Sequence, residues 1–370
     1  MKLRPLSPRL LGLVSGLLAG AAIQAAEPIH PAMTLLSASD PRFQLEGRFD
    51  RTDPAQPVIT WSGSRLRLDF SGRELALVFG ASTGQCVFDF SVDGAKELVN
   101  LKAGPGARFA WTQPLGEGRH HLVIFKRTEA AKGHAAFAGV QLATGAQAWA
   151  PGSPAYRLKM EFLGDSITAG ACNEDGAVDQ WDDYLTHNHA LSYGCLTSLA
   201  LAADHRAMAV SGMGVITGWE PQKAGEVWDK FYPQPTSARA DLAAWQPDVA
   251  FVNLGENDDS YTRANHQPFP PDFTAGYVQL VRAIRAAYPH ARIVLLRGGM
   301  FGGAKSPAFQ QAWEAAVREL ENGDPKMTHF VFQHWSELHP RVSDDRAMAA
   351  ELTAWLKQQS FMTPYLKSPQ

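Results

Sequence analysis

The stretch Met160-Glu161-Phe162-Leu163-Gly164-Asp165-Ser166-Ile167-Thr168-Ala169-Gly170 decides how the rest of the chain is read. An apolar run closes on Gly-Asp-Ser, and Thr, Ala and Gly follow. This is the pattern of a buried strand feeding a tight turn that opens a helix. A serine at such a turn stands at the carboxyl edge of a sheet, where α/β folds place their sites. Gly164 lets the backbone bend sharply, and Asp165 can hydrogen-bond back into the turn. Gly-Asp-Ser alone is equally an ordinary turn, and a hydroxyl is a weak nucleophile. Ser166 carries chemistry only if a base and an oxyanion-stabilising site exist elsewhere.

Downstream, apolar runs at 158–163, 207–210, 249–254, 293–296 and 330–332 alternate with helical patterns at 191–203, 238–245, 273–288, 308–321 and 344–357. Five buried strands separated by helices predict an α/β domain with a doubly wound, five-stranded parallel sheet over residues 155–360. Upstream, helical periodicity is almost absent. Arg65-Leu66-Arg67-Leu68-Asp69-Phe70 alternates strictly, as does Val87-Phe88-Asp89-Phe90-Ser91-Val92, which ends on the turn signal Asp93-Gly94. His121-Leu122-Val123-Ile124-Phe125-Lys126 is a further strand. Residues 27–150 are therefore expected to form an all-β sandwich or jelly roll. The joint between the two is Ala150-Pro151-Gly152-Ser153-Pro154.

Three later stretches fall where strands of the parallel sheet should end. They are Ser211-Gly212-Met213-Gly214, Gly255-Glu256-Asn257-Asp258 and Trp335-Ser336-Glu337-Leu338-His339-Pro340. All would share the edge that carries Ser166. In acyl transfer, Ser166 would attack a carbonyl carbon, and His339 would take its proton and pass one to the leaving alcohol. The N–H groups of Ser166 and Gly212 and the amide of Asn257 would stabilise the oxyanion, with Gly214 as the alternative to Gly212. His334 is the rival base, although its place at the end of a strand suits packing. Asp258 and Asp259 read as solvated or capping residues. Trp181, Trp219, Trp228, Tyr232 and Tyr261 lie in the segments after these blocks, and Trp219 and Tyr261 are the expected substrate contacts.

As an ordered set from Met160 to Trp355, these blocks resemble the SGNH (GDSL-like) hydrolases. The first domain is similar to the β-domain of carbohydrate esterase family 2 in Gly47-Arg48-Phe49-Asp50, Trp61-Ser62-Gly63-Ser64, Val92-Asp93-Gly94, Lys126-Arg127-Thr128-Glu129 and Phe137-Ala138-Gly139. The resemblance implies a jelly roll joined to an SGNH domain that removes acetyl groups from plant-wall polysaccharides such as xylan or glucomannan. It implies no cofactor and no metal. Many SGNH hydrolases carry Asp three residues before the catalytic His, where this chain has Ser336. The resemblance therefore implies a Ser-His dyad with the imidazole oriented by a main-chain carbonyl, with Glu337 or Asp324 as the alternative. Asp165, placed for local bonding, is not the orienting group. Rival readings are another small-acyl or lipid esterase on this fold, or a carbohydrate-binding protein whose hydrolase domain is inactive.

Composition fits a globular enzyme, with 45% hydrophobic and 19% charged residues. The net charge of −3 and scattered basic residues argue against a nucleic-acid surface. Lys2, Arg4 and Arg9, the apolar run 10–22 and the small Ala25 and Ala26 have the layout of a cleaved secretory signal peptide over residues 1–26. A periplasmic or secreted monomer free of the membrane after cleavage is therefore expected. The alternative, a membrane anchor, would need a longer apolar run. Of the three cysteines, Cys172 and Cys195 could pair in an oxidising compartment, and Cys86 would remain. No Cys/His cluster has metal-ligand spacing.

Overall fold

The computed structural model describes residues 32–366, apart from Ser153 and Ala155. The expected leader, residues 1–26, lies outside the described residues. The five-stranded parallel sheet is present and its strands follow the apolar runs: β1 Lys159–Gly164, β2 Asp204–Ala209, β3 Val249–Asn253, β4 Arg292–Met300 and β5 Met327–Ser336. Their order is β2-β1-β3-β4-β5, every pair parallel. The order reverses at β1 and β3, and doubly wound sheets open their ligand crevice at such a switch point.

Successive side chains of each strand serve opposite faces. Ala250, Val252, Ile293 and Leu295 face one core with Phe273, Tyr277 and Val281 of α4 (Phe273–Ala287) and Trp313, Ala316 and Leu320 of α5 (Pro307–Gly323). Val249, Phe251, Val294 and Leu296 face another core with Tyr193 of α2 (Tyr193–Ala200) and Met348, Leu352 and Leu356 of α6 (Val342–Gln358). Burial on both faces is why these strands read as continuous apolar runs rather than alternating ones.

Among the described residues, the amino-terminal part forms one antiparallel sheet of eleven strands around its own core. Its spine is the 18-residue strand Leu75–Val92, which pairs with Ala95–Gly104, Ala107–Ala110, Arg119–Lys126 and Gly133–Ala143. Arg65–Ser71 buries every second residue, as its alternation requires.

One expected helix is absent. Residues 238–245 form turns: the Asp241 carboxylate accepts the N–H groups of Ala243 and Ala244 as a helix cap would, but Pro247 disfavours helical backbone at Gln246 and leaves no length for a helix to continue. A helix that the apolar pattern missed, α3 (Glu256–Ala264), follows β3 instead. The possible Cys172–Cys195 disulfide is also absent: both are free thiols, as is Cys86.

The two domains share packing. Trp61, 1% exposed, belongs to the hydrolase-side core, and its indole N–H donates to the Lys230 carbonyl at 3.2 Å. Arg48 reaches across to the Trp228 carbonyl at 2.7 Å and to the Glu161 carboxylate at 3.3 Å, with both side chains buried. Removing one partner of a buried pair strands the other charge. Arg48→Ala should therefore cost about 3–5 kcal/mol of stability, read from urea unfolding. Wild type should unfold in a single transition, and two separated transitions would contradict the shared packing.

Candidate active site

Gly164 ends β1 where a side chain has no room: a Cβ there would lie 2.1 Å from Thr168 Oγ1. Asp165 caps the short helix α1 (Ser166–Ala169), accepting the Ile167 N–H at 3.1 Å. Burial, reinforced by the Glu256 carboxyl, pushes the Asp165 carboxyl well above the usual range. Ser166 is 4% exposed and its Oγ lies 2.9 Å from His339 Nε2. His339 comes from the loop between β5 and α6, and Trp181 stands edge-on to its ring at 4.4 Å.

The orienting group differs from the expected main-chain carbonyl. His339 Nδ1 lies 2.7 Å from Asp179 Oδ2, in the irregular segment after α1. Arg341 donates to Asp179 Oδ1 at 2.8 Å, and also to the carbonyls of Cys172, Gly176 and His339, tying that segment to the histidine loop. Burial raises the Asp179 carboxyl, but hydrogen bonds from His339 and Arg341 outweigh it and hold it at about 2. It is therefore ionised wherever His339 could act as a base. The two alternative carboxylates are elsewhere: Asp324 pairs with Arg285 at 2.6 Å, and Glu337 is exposed. The rival base His334 pairs with Asp344 at 2.8 Å.

The Ser211–Gly212 turn follows β2. Gly212 has φ +80°, and its carbonyl accepts the N–H groups of Trp219 at 2.8 Å and Glu220 at 3.1 Å. Among the described residues nothing takes the N–H of Gly212 or of Ser166. Both residues line a cleft of ≈ 430 Å³ with Asn257, His339, Trp181 and Trp219. Gly214 is not in that wall: it is enclosed, and a Cβ there would meet the Thr217 carbonyl oxygen at 1.6 Å. Asn257 Nδ2 donates to the Met213 carbonyl at 3.1 Å and, at 3.3 Å, to Asp165 Oδ2. Gly212→Ala demands a left-handed alanine pressed 3.1 Å from Trp219 Cβ. Its expected result is a fall of about a hundredfold in kcat at nearly unchanged KM, as when one oxyanion donor is displaced; steady-state kinetics on p-nitrophenyl acetate measure it.

Asp258 is no solvated residue. It is fully buried and accepts the N–H groups of Val215, Ile216 and Thr217 at 2.7–2.9 Å, holding the segment after Gly212 from below. Glu256 lines the cleft and accepts the N–H groups of Gly302 and Gly303. Burial pushes Glu256 up to about 7 and Asp258 up to about 6, against the pull of those N–H groups. A carboxyl with a raised folded-state pKa binds its proton more tightly in the native chain than in the unfolded one. Stability should therefore fall as pH rises from about 4.5 to 7. Glu256→Gln should flatten the upper part of that slope in urea midpoints taken between pH 5 and 8.

Of the two expected substrate contacts, Trp219 stands in the cleft wall, 56% exposed, with its N–H on Ser260 Oγ at 3.0 Å. Tyr261 packs edge-on behind Trp219 at 5.4 Å and is not part of that wall. Trp228 is core, and Tyr232 bonds Asp50. The fold also gathers the potential ligand atoms of Cys172, Asp179 and His339 within 4.8 Å, a grouping no sequence spacing announced. Asp179 and His339 are already bonded to each other there, and burial pushes the Cys172 thiol up, away from the thiolate a metal would need.

Residues 162–354 match the GDSL-like Lipase/Acylhydrolase family, and residues 45–152 match the Carbohydrate esterase 2 N-terminal model. The chain belongs to the GDSL-like lipase/acylhydrolase family, as a carboxylic ester hydrolase of carbohydrate esterase family 2 type. It is 31% identical over 337 residues to "Cellulase/esterase CelE" of Acetivibrio thermocellus, covering 86% of this chain and 39% of that protein. An "Acetylxylan esterase / glucomannan deacetylase" of Cellvibrio japonicus is 26% identical over 371 residues, covering 94% of this chain and 97% of the relative. Among solved structures, a family two carbohydrate esterase from Clostridium thermocellum in complex with cellohexaose aligns with TM-score 0.77 at 29% identity, covering 88% of this chain and all of that one.

Proposed function

We propose that this member of the family removes O-acetyl groups from plant-type polysaccharides or oligosaccharides, such as xylan and glucomannan, after export through a leader at residues 1–26. The observation that carries the proposal is the line of contacts Ser166 Oγ, His339 Nε2, His339 Nδ1, Asp179 Oδ2, spaced 2.9 and 2.7 Å, on the floor of an open cleft. His339 Nε2 takes the Ser166 proton as Oγ attacks the acetyl carbon, and Asp179 stabilises the imidazolium that forms. The negative oxygen of the tetrahedral intermediate accepts the N–H groups of Ser166 and Gly212. It also draws Asn257 Nδ2 away from its longer bond to Asp165. His339 then gives that proton to the departing sugar oxygen as its bond to the acyl carbon breaks, releasing the sugar hydroxyl and leaving acetyl-Ser166. Water, deprotonated by the same nitrogen, cleaves the acetyl-serine and releases acetate. Trp219 and Trp181 flank the cleft and suit the apolar face of a sugar ring.

The names of the relatives favour acetylated glycans over lipids, and the completeness of the site speaks against an inactive binding domain. Acetate release from acetylated xylan and glucomannan, run beside p-nitrophenyl acetate and a long-chain ester, tests the proposal. Turnover of p-nitrophenyl acetate without glycan deacetylation would leave a small-acyl esterase, and preference for the long chain would leave a lipase. No turnover of any of them would leave a binding protein.

A further inference from the structure

The β-domain sends one acidic side chain to the back of the Ser211–Gly212 turn. Glu129, 1% exposed, accepts the backbone N–H of Ser211 with Oε2, in a short contact across the domain boundary. Its other oxygen lies 3.7 Å from Lys132 Nζ. The backbone beneath it is fixed by Lys126, which is fully buried and donates from Nζ to the carbonyls of Thr128 at 2.7 Å and Glu129 at 3.1 Å. Thr128 Oγ1 in turn accepts the Val87 N–H, anchoring the segment to the long central strand.

The turn is thus gripped at three points. Glu129 takes the Ser211 N–H, and the Gly212 carbonyl takes the N–H groups of Trp219 and Glu220. The Gly212 N–H is left without an acceptor among the described residues, on a residue that lines the cleft at a left-handed φ that glycine alone holds cheaply. Glu129 itself does not line the cleft. We propose that Glu129 is a positioning residue through which the β-domain sets the oxyanion-stabilising turn, so that the β-domain is part of the catalytic apparatus. This inference rests on the role given to Gly212 in the proposed function.

Without Glu129, Ser211 keeps a buried N–H with no acceptor, and the peptide that carries the Gly212 N–H is free to rotate away. A merely structural tie between domains would lower stability and leave kcat alone. Glu129→Ala should lower kcat on p-nitrophenyl acetate by about 30- to 100-fold with KM within about twofold, the signature of a group felt only in the transition state. Glu129→Gln keeps an acceptor oxygen for Ser211 and should recover kcat to within about fivefold of wild type. In a Gly212→Ala background the same Glu129→Ala change should cost less than about threefold further, because both act on one donor. If Glu129→Ala does not fold, the Gln variant alone and in the Gly212→Ala background decides: its small loss should shrink or vanish there. Unchanged kcat in folded Glu129→Ala, a loss confined to KM, or full additivity with Gly212→Ala would overturn the inference. A wild-type protein inert to every ester would instead sink the esterase proposal on which it stands.

Discussion

Ser166→Ala should lower kcat for p-nitrophenyl acetate by about four orders of magnitude or more, at an unfolding midpoint within about 0.5 kcal/mol of wild type. Only a hydroxyl is removed, and among the described residues its side-chain hydrogen-bond partner is His339 Nε2 at 2.9 Å. The Asp165 cap, the Gly164 bend and the packing of α1 are untouched. His339→Ala should cost about as much, and the double variant scarcely more, because nucleophile and base act as one unit. Retention of more than about a hundredth of kcat by purified Ser166→Ala would mean a different nucleophile.

The second large effect is expected at Asp179. Asp179→Asn keeps the shape of the carboxylate but removes the charge facing the imidazolium, so kcat should fall by about 10²- to 10⁴-fold with little change in KM. Glu337→Gln and Asp324→Asn should stay near wild type, since one side chain is exposed and the other serves Arg285. Equal losses at either would return the orienting role to a nearer carboxylate. Asp179 also predicts a stability effect of definite sign. Its carboxyl is held at about 2, below its ordinary 3.8, so its pairing stabilises the fold fully above about pH 4. That contribution is lost as pH falls through 2. Urea midpoints should therefore drop less steeply below pH 4 in Asp179→Asn than in wild type.

The sequence made the parallel sheet and its edge legible for a local reason. The central strands β1, β3 and β4 are buried on both faces, so their apolar runs stand out, and Ser166, Gly212, Asn257 and His339 each lie close after the end of a strand. Asp179 was hidden because it belongs to an irregular segment that also carries Asp175, Asp182 and Asp183, with no period to set one apart. It meets His339 across 160 residues of chain. Glu337 and Asp324 lie nearer the histidine in sequence, whereas the carboxylate that contacts its Nδ1 lies far from it. Helix α3 was missed because Glu256-Asn257-Asp258-Asp259 has no apolar stripe. Glu256 and Asp258 are buried against backbone N–H groups, of the short helix Phe301–Lys305 and of the loop after Gly212 respectively, an arrangement that composition cannot report. Conversely, 238–245 has alanine and leucine at helical spacing, yet Pro247 stops the segment within about a turn of Asp241 and it folds as turns. Glu129 was visible only as part of a family signature, and its partner is a main-chain atom that no side-chain pattern encodes.

The seating of Trp61 among the hydrolase residues bears on how such a protein can be inherited. Severing the chain near the Pro/Gly joint would leave the second half with an indole-sized hole and Glu161 without its guanidinium partner. It would leave the first half with an exposed tryptophan. Neither fragment would survive as an independent cassette. Recombination that moves this esterase into a larger enzyme must therefore carry both domains as one block, and new partners can be appended only beyond its outer ends.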